Sequence, residues 1–70
     1  MHPLKRKRLA KDLTQAGLAE KLGVTGAAVS AWETGQRIPE PGLYAKLSKV
    51  LGITPDEVVS LFSEPAAARD

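Results

Sequence analysis

Seventy residues make one small domain, too small to enclose a catalytic pocket within its core. A hydrophobic fraction of 43% argues against global disorder, and the absence of cysteine excludes disulfides, thiolate zinc sites and a Cys nucleophile. The net charge is only +2 and no apolar run approaches the roughly 18 residues of a membrane span, so a soluble, cytoplasmic protein is expected.

No stretch alternates with period two, and Gly and Pro punctuate the chain at helical lengths, so five helices and no strand are expected. Pro3 suits the first turn of helix 1, where its missing N–H would be unpaired anyway, and the helix is expected to run to about Lys11. Thr14 is placed to cap helix 2, about 15–22, in which Leu18, Ala19 and Leu22 form an apolar stripe. Gly23 fits the left-handed position beyond its last turn. Thr25 caps helix 3, about 25–33, with Val29 and Trp32 on one face and Gly35 as its stop. The polar loop "QRIPEP" leads to helix 4, where Pro41 suits the first turn and Leu43, Leu47, Val50 and Leu51 form a buried stripe. Gly52 stops that helix. Thr54-Pro55-Asp56-Glu57 is a capping box with Pro at the first helical position and acids at the positive end of the dipole. It opens helix 5, whose core face would be Val58, Leu61 and Phe62, with Val59 to one side. Residues 1–62 read as one domain, and 63–70, "SEPAAARD", as a flexible tail with too little apolar material to order itself.

The charge is unevenly spread. Lys5, Arg6, Lys7, Arg8 and Lys11 all precede the first acid, Asp12, whereas from Thr54 onward Asp56, Glu57, Glu64 and Asp70 face only Arg69. A basic front suits a polyanionic partner, although a charge run taken alone is as readily a solvated helix face.

Helices 2 and 3, joined by the short Gly23-Val24 turn, make a helix-turn-helix candidate. Gln15, Ala19, Gly23, Val29 and Trp32 stand at offsets 0, 4, 8, 14 and 17. That pattern resembles the phage repressor and Cro type of helix-turn-helix, the XRE family. The phrases "LTQAGLAEKLGV", "VSAWETGQRIPEP" and "LSKVLGITPDEV" resemble it in the same order. The resemblance implies an all-α, five-helix, lambda-repressor-like domain that binds double-stranded DNA and regulates transcription, acting as a homodimer on a palindromic operator, most simply as a repressor. Independently of the family, Ala19 must be small where helix 3 crosses helix 2, and Val29 and Trp32 fill the wedge between them. Trp32 could instead stack on a base; with Val29 on its face, a core anchor is the stronger reading.

Carried over position by position, the resemblance places helix 3 in the major groove with Thr25, Gly26, Ala27, Ser30 and Ala31 toward base edges. Gln15 would hold a phosphate, Gln36 and Arg37 would grip the opposite backbone, and N–H groups near Gly42 would assist, with Lys5 and Lys7 adding phosphate contacts. Arg8 and Glu33 match a position pair that forms a structural ion pair between helices 1 and 3 in this family; Arg8 contacting phosphate like its neighbours is the weaker reading, because Glu33 near a DNA-facing surface would otherwise repel the backbone. Val59, Leu61 and Phe62 are candidates for a dimer patch; for Leu61 and Phe62, closing the core is the stronger reading.

The chain departs from the family where base readers usually stand. Gly26, Ala27 and Ala31 replace long polar side chains able to make bidentate base contacts. Three explanations stay open: close backbone approach with methyl–methyl contacts to thymine, readout of DNA shape, or a helix that has turned from DNA to a protein partner. The alternative function is therefore a protein-binding adaptor of the same fold, an antitoxin or coactivator holding a toxin or a part of the transcription machinery. Glu would often stand at Gly17, and its absence leaves helix 2 without a capping box. An enzyme is not expected. The only histidine, His2, reads as a frayed terminal residue, the eight carboxylates form no convergent pair, and neither a metal nor a cofactor is called for.

Overall fold

The computed structural model describes residues 2–63. The elements are α1 (Pro3–Ala10), α2 (Gln15–Leu22), α3 (Gly26–Glu33), a 3-10 turn (Pro41–Leu43) leading into α4 (Tyr44–Leu51), and α5 (Pro55–Ser63). No strand occurs among the described residues. The tail expected over 63–70 lies outside them, apart from Ser63, which closes α5.

Side chains fix where the helices begin. Thr14 Oγ1 accepts from the Gly17 N–H at 2.9 Å and Thr25 Oγ1 from the Ala28 N–H at 3.1 Å, each satisfying a donor that the first turn leaves unpaired. At α5 the box closes both ways: the Glu57 N–H donates to Thr54 Oγ1 at 3.1 Å, and the Thr54 N–H donates to Glu57 Oε1 at 3.3 Å. The opening of α1 was not foreseen. His2 is no loose end: its Nδ1 accepts from the Leu4 N–H at 3.0 Å and its ring lies 5.9 Å from that of Phe62. Pro41 opens a single 3-10 turn rather than α4 itself, held by the Leu43 N–H to the Glu40 carbonyl at 2.9 Å.

One motif ends four of the helices. At α2, α3 and α4 a glycine with positive φ (Gly23, Gly35, Gly52) lets the next N–H reach back to a carbonyl of the last turn: Val24 to Ala19, Gln36 to Ala31, Ile53 to Ser48. At α1 the same step, the Leu13 N–H to the Arg8 carbonyl at 3.1 Å, is made with Asp12 at φ 56. A helix that ends this way turns sharply, so loops of a few residues suffice to fold eight-residue helices back on one another.

The core they enclose is Leu4, Leu18, Ala19, Leu22, Val29, Trp32, Leu47, Leu51, Val58 and Leu61, drawn from all five helices. Pro39 joins it from the loop before α4 and anchors a segment that reads as polar in sequence. All the aromatic rings meet at one corner. Phe62 stacks on Tyr44 at 6.1 Å, takes Trp32 edge-on at 6.4 Å and touches His2, which binds the C-terminal end of α5 to α1, α3 and α4.

Candidate nucleic-acid interface

Helices α2 and α3 pack against each other. Ala19 is buried where α3 crosses, and Val29 and Trp32 point inward beneath it. The opposite side of α3 is what the packing leaves outside: Thr25 and Ala27 are exposed, and Gly26, Ser30 and Ala31 are partly so. Thr25 Oγ1 accepts the cap bond with one of its two lone pairs, and its hydroxyl hydrogen remains a donor. Nothing stands within 4 Å of where a Cβ of Gly26 would lie, so the backbone at the head of α3 is open to a close approach.

Beyond α3 the chain is folded back on the helix end. The Ala31 carbonyl accepts from the Gln36 N–H at 3.0 Å, the Arg37 N–H at 3.3 Å and the Thr34 hydroxyl at 3.2 Å. These bonds set Gln36 and Arg37, both exposed, beside the C-terminus of α3. Ile38 follows them at 64% exposure, and Gly42 is exposed in the turn that opens α4.

Arg8 is buried, 5% exposed, beside the equally buried carboxylate of Glu33. Its Nε donates to Glu33 Oε2 at 2.6 Å, one terminal nitrogen donates to Glu33 Oε1 at 3.1 Å, and the other to the Leu13 carbonyl at 2.7 Å. The first two bonds form the bidentate fork that suits guanidinium to carboxylate. Gln15 completes the group, its Nε2 donating to Glu33 Oε1 at 3.0 Å. Burial alone would raise the Glu33 carboxyl pKa. The hydrogen bonds from Arg8 and Gln15, with the charges of Arg8 and Lys5, outweigh it and hold the group below its ordinary value.

This network joins α1, the α1–α2 turn, the start of α2 and the end of α3. The Gln15 link was missed in sequence, because Gln15 and Glu33 lie 18 residues apart and nothing local connects them.

The basic front is divided by the geometry of α1. Lys5 stands close enough to Glu33 to act on its carboxyl, on the α3 side. Lys7 turns the other way and pairs with Glu57 of α5 at 3.8 Å, both side chains about half exposed. Lys11 reaches toward the end of α4. A methyl group at Gly52 would stand 3.1 Å from its ammonium nitrogen, at the end of α4 where helix carbonyls carry partial negative charge. Of the two lysines nominated for phosphate, Lys7 thus has a partner on α5, while the charge of Lys5 acts on Glu33 of α3.

The dimer-patch candidates separate too. Leu61 is buried in the core and cannot also supply an outer patch. Phe62 is half-buried in the aromatic corner, and Val59 is 46% exposed on α5. No helix among the described residues is long and apolar enough to cross a membrane, and no group of three or more His, Cys, Asp or Glu among them is placed to hold a metal ion.

Comparison with known proteins agrees with this geometry. Residues 4–58 match a family described as "Helix-turn-helix". The chain is 40% identical over 57 residues to the HTH-type transcriptional activator BcrR of Enterococcus faecalis, covering 81% of this chain and 28% of that protein. It is 40% identical over 53 residues to the HTH-type transcriptional regulator YqaE of Bacillus subtilis (strain 168), covering 76% of this chain and 46% of that protein. It is 34% identical over 50 residues to multiprotein-bridging factor 1c of Arabidopsis thaliana, covering 71% of this chain and 34% of that protein. The chain thus spans less than half the length of the curated relatives it matches. No solved structure gives a significant match. Five helices, a buried α2–α3 wedge with an open outer face, and a family match across nearly every helix have one meaning: the chain belongs to the XRE helix-turn-helix family of DNA-binding transcriptional regulators, which points to binding rather than catalysis.

Proposed function

We propose that this domain reads a palindromic operator as a homodimer, with α3 in the major groove, and that its output is repression. The observation that carries the reading is the outer face of α3, held by a buried wedge, with Thr25 and Ala27 exposed and Gly26, Ser30 and Ala31 partly exposed. Thr25 and Ser30 are the polar readers, and Ala27 and Ala31 meet thymine methyl groups. Gly26 lets the backbone come close. Gln15, Lys5, Gln36, Arg37 and the turn at Gly42 supply phosphate contacts, which set register and affinity rather than sequence.

A domain this small makes few contacts, so a second copy on a half-site about one helical turn away is the simplest source of affinity. Val59, with the exposed edge of Phe62, is the α5 surface suited to that contact. Repression follows most directly, because occupying an operator blocks transcription with no further surface required.

A second reading rests on two observations, the small side chains on α3 and the similarity to a protein named as a multiprotein-bridging factor. On that reading α3 is a smooth surface for a protein, and DNA binding is weak. Selection from a random duplex library at near-physiological salt, followed by titration, separates the two. A palindromic consensus bound at least ~10³-fold better than scrambled duplex supports the operator reading. Equal, salt-fragile binding to every duplex overturns it in favour of the adaptor.

A further inference from the structure

The Arg8–Glu33–Gln15 group does more than join helices. We infer that Glu33 is a positioning residue for DNA binding, holding the Gln15 amide in the orientation that presents N–H, not carbonyl oxygen, to a phosphate. This inference rests on the DNA reading above.

A glutamine amide has two donor hydrogens on Nε2 and an acceptor at Oε1, and free in solvent it turns either end outward. An ionised carboxylate only accepts. Glu33 is ionised, its pKa held below the ordinary value by its neighbours, and its Oε1 lies 3.0 Å from Gln15 Nε2. The amide must therefore offer its nitrogen to Glu33, which leaves the second Nε2 hydrogen for a ligand and fixes where Oε1 lies. A phosphate needs a donor, and an unconstrained amide presents the repelling oxygen in part of its conformations.

Glu33 is itself fixed. Its side chain is 4% exposed and held by two bonds from Arg8, whose third bond goes to the Leu13 carbonyl two residues before Gln15. The chain of restraint runs from a buried guanidinium through a carboxylate to a partly exposed amide at the first residue of α2. Charge balance allows this group to approach DNA. An unpaired carboxylate here would repel the backbone, but Arg8 neutralises it and Lys5 adds a further positive charge on the same side. Restraining a side chain that binding would otherwise have to order is worth about three- to tenfold in affinity.

The test combines one spectroscopic reading of the wild-type protein with a binding cycle. In the free ¹⁵N-labelled chain, the two Gln15 side-chain amide protons should be separated by clearly more than those of an unconstrained glutamine, with one in cross-relaxation contact with the protons of the Arg8 terminal nitrogen that shares Glu33 Oε1. Gln15 amide signals at the positions of an unconstrained glutamine, with no contact to Arg8, would overturn the inference. Binding of duplex DNA is then titrated for wild type, Gln15→Met, the paired variant Arg8→Met/Glu33→Met, and all three changes together. Replacing both partners of the buried pair with apolar side chains keeps the domain folded where a single change would not, and circular dichroism checks that it does.

The paired variant should lose about three- to tenfold in affinity, equally for consensus and scrambled duplex, when Gln15 is present. It should lose no more than about twofold in the Gln15→Met background. An equal loss in both backgrounds would make the pair merely structural and overturn the inference while leaving the DNA reading intact. A wild-type domain that binds no duplex would overturn both, and the amide spectrum would still show whether the clamp forms.

Discussion

Removing one member of the Arg8–Glu33 pair is the most demanding test of how this domain is held together. In Glu33→Gln the guanidinium of Arg8, 5% exposed, keeps its bond to the Leu13 carbonyl but loses the carboxylate that neutralises it. A buried charge left without its partner costs about 3–5 kcal/mol. A chain of this size has only about 4–10 kcal/mol in total, so the variant should be largely unfolded well below the wild-type midpoint. Arg8→Met/Glu33→Met removes both charges together and should lie within about 1–2 kcal/mol of wild type. The assay is urea unfolding followed by the fluorescence of Trp32, which sits in the aromatic corner and reports loss of packing. A Glu33→Gln loss below ~1 kcal/mol would place the pair with ordinary surface bridges and refute the reasoning.

The same pair gives a pH dependence of definite sign. Folding lowers the Glu33 pKa, so the unfolded chain binds the proton more readily than the folded one. The stabilisation is complete above the ordinary carboxylate pKa and is lost as pH falls through the lower, folded value. Wild type should therefore lose stability across that acidic window more steeply than Arg8→Met/Glu33→Met.

Asp12→Gly should stabilise the domain by about 0.5–1 kcal/mol in the same unfolding assay, because φ 56 at the end of α1 strains an L-residue where the other helix ends use glycine. His2→Ala should cost about 1 kcal/mol through loss of the α1 cap, seen as a lower thermal midpoint. On the DNA reading, Lys5→Ala should flatten the slope of log K against log salt by about 0.9, as for one lost phosphate contact. Lys7→Ala should leave the slope unchanged, since its partner is Glu57.

Much of the fold was written in short local signals. Thr14, Thr25 and Thr54 announce helix starts because a cap needs one hydroxyl at a fixed offset. The apolar stripes of α2 and α5 announce their buried faces in the same way. What escaped was tertiary. Lys5 and Lys7 are indistinguishable in a run of basic residues, and only the rotation of α1 sends one toward Glu33 and the other toward Glu57. Asp12 escaped because a left-handed helix end is read from glycine, and nothing local marks an Asp doing the same work. His2 escaped because its cap is an imidazole, and because Phe62, its ring partner, stands at the other end of the described chain. Gln15 was legible as a polar residue at a helix start, but its bond to Glu33 depends on α3 ending above the start of α2.

The small residues of α3 take their meaning from this division between rigid frame and bland surface. Long readers such as Gln or Arg carry their own reach and tolerate some play in the helix beneath them. Methyl groups and short hydroxyls have no reach, so any discrimination by Ala27, Ser30 and Ala31 requires the helix axis itself to be placed closely and held there. The structure spends its strongest interactions on that placement: a buried Val29–Trp32 wedge, a bidentate ion pair from α1, and a loop tied to the Ala31 carbonyl. On the operator reading, weakening the frame should therefore relax discrimination between sequences before it abolishes binding, because phosphate contacts tolerate small displacements that methyl contacts do not. Ala31→Gly, which loosens the middle of α3 and deletes one methyl, should lower the ratio of consensus to scrambled affinity by about tenfold at constant salt. A uniform loss for both duplexes would assign α3 to backbone contact alone.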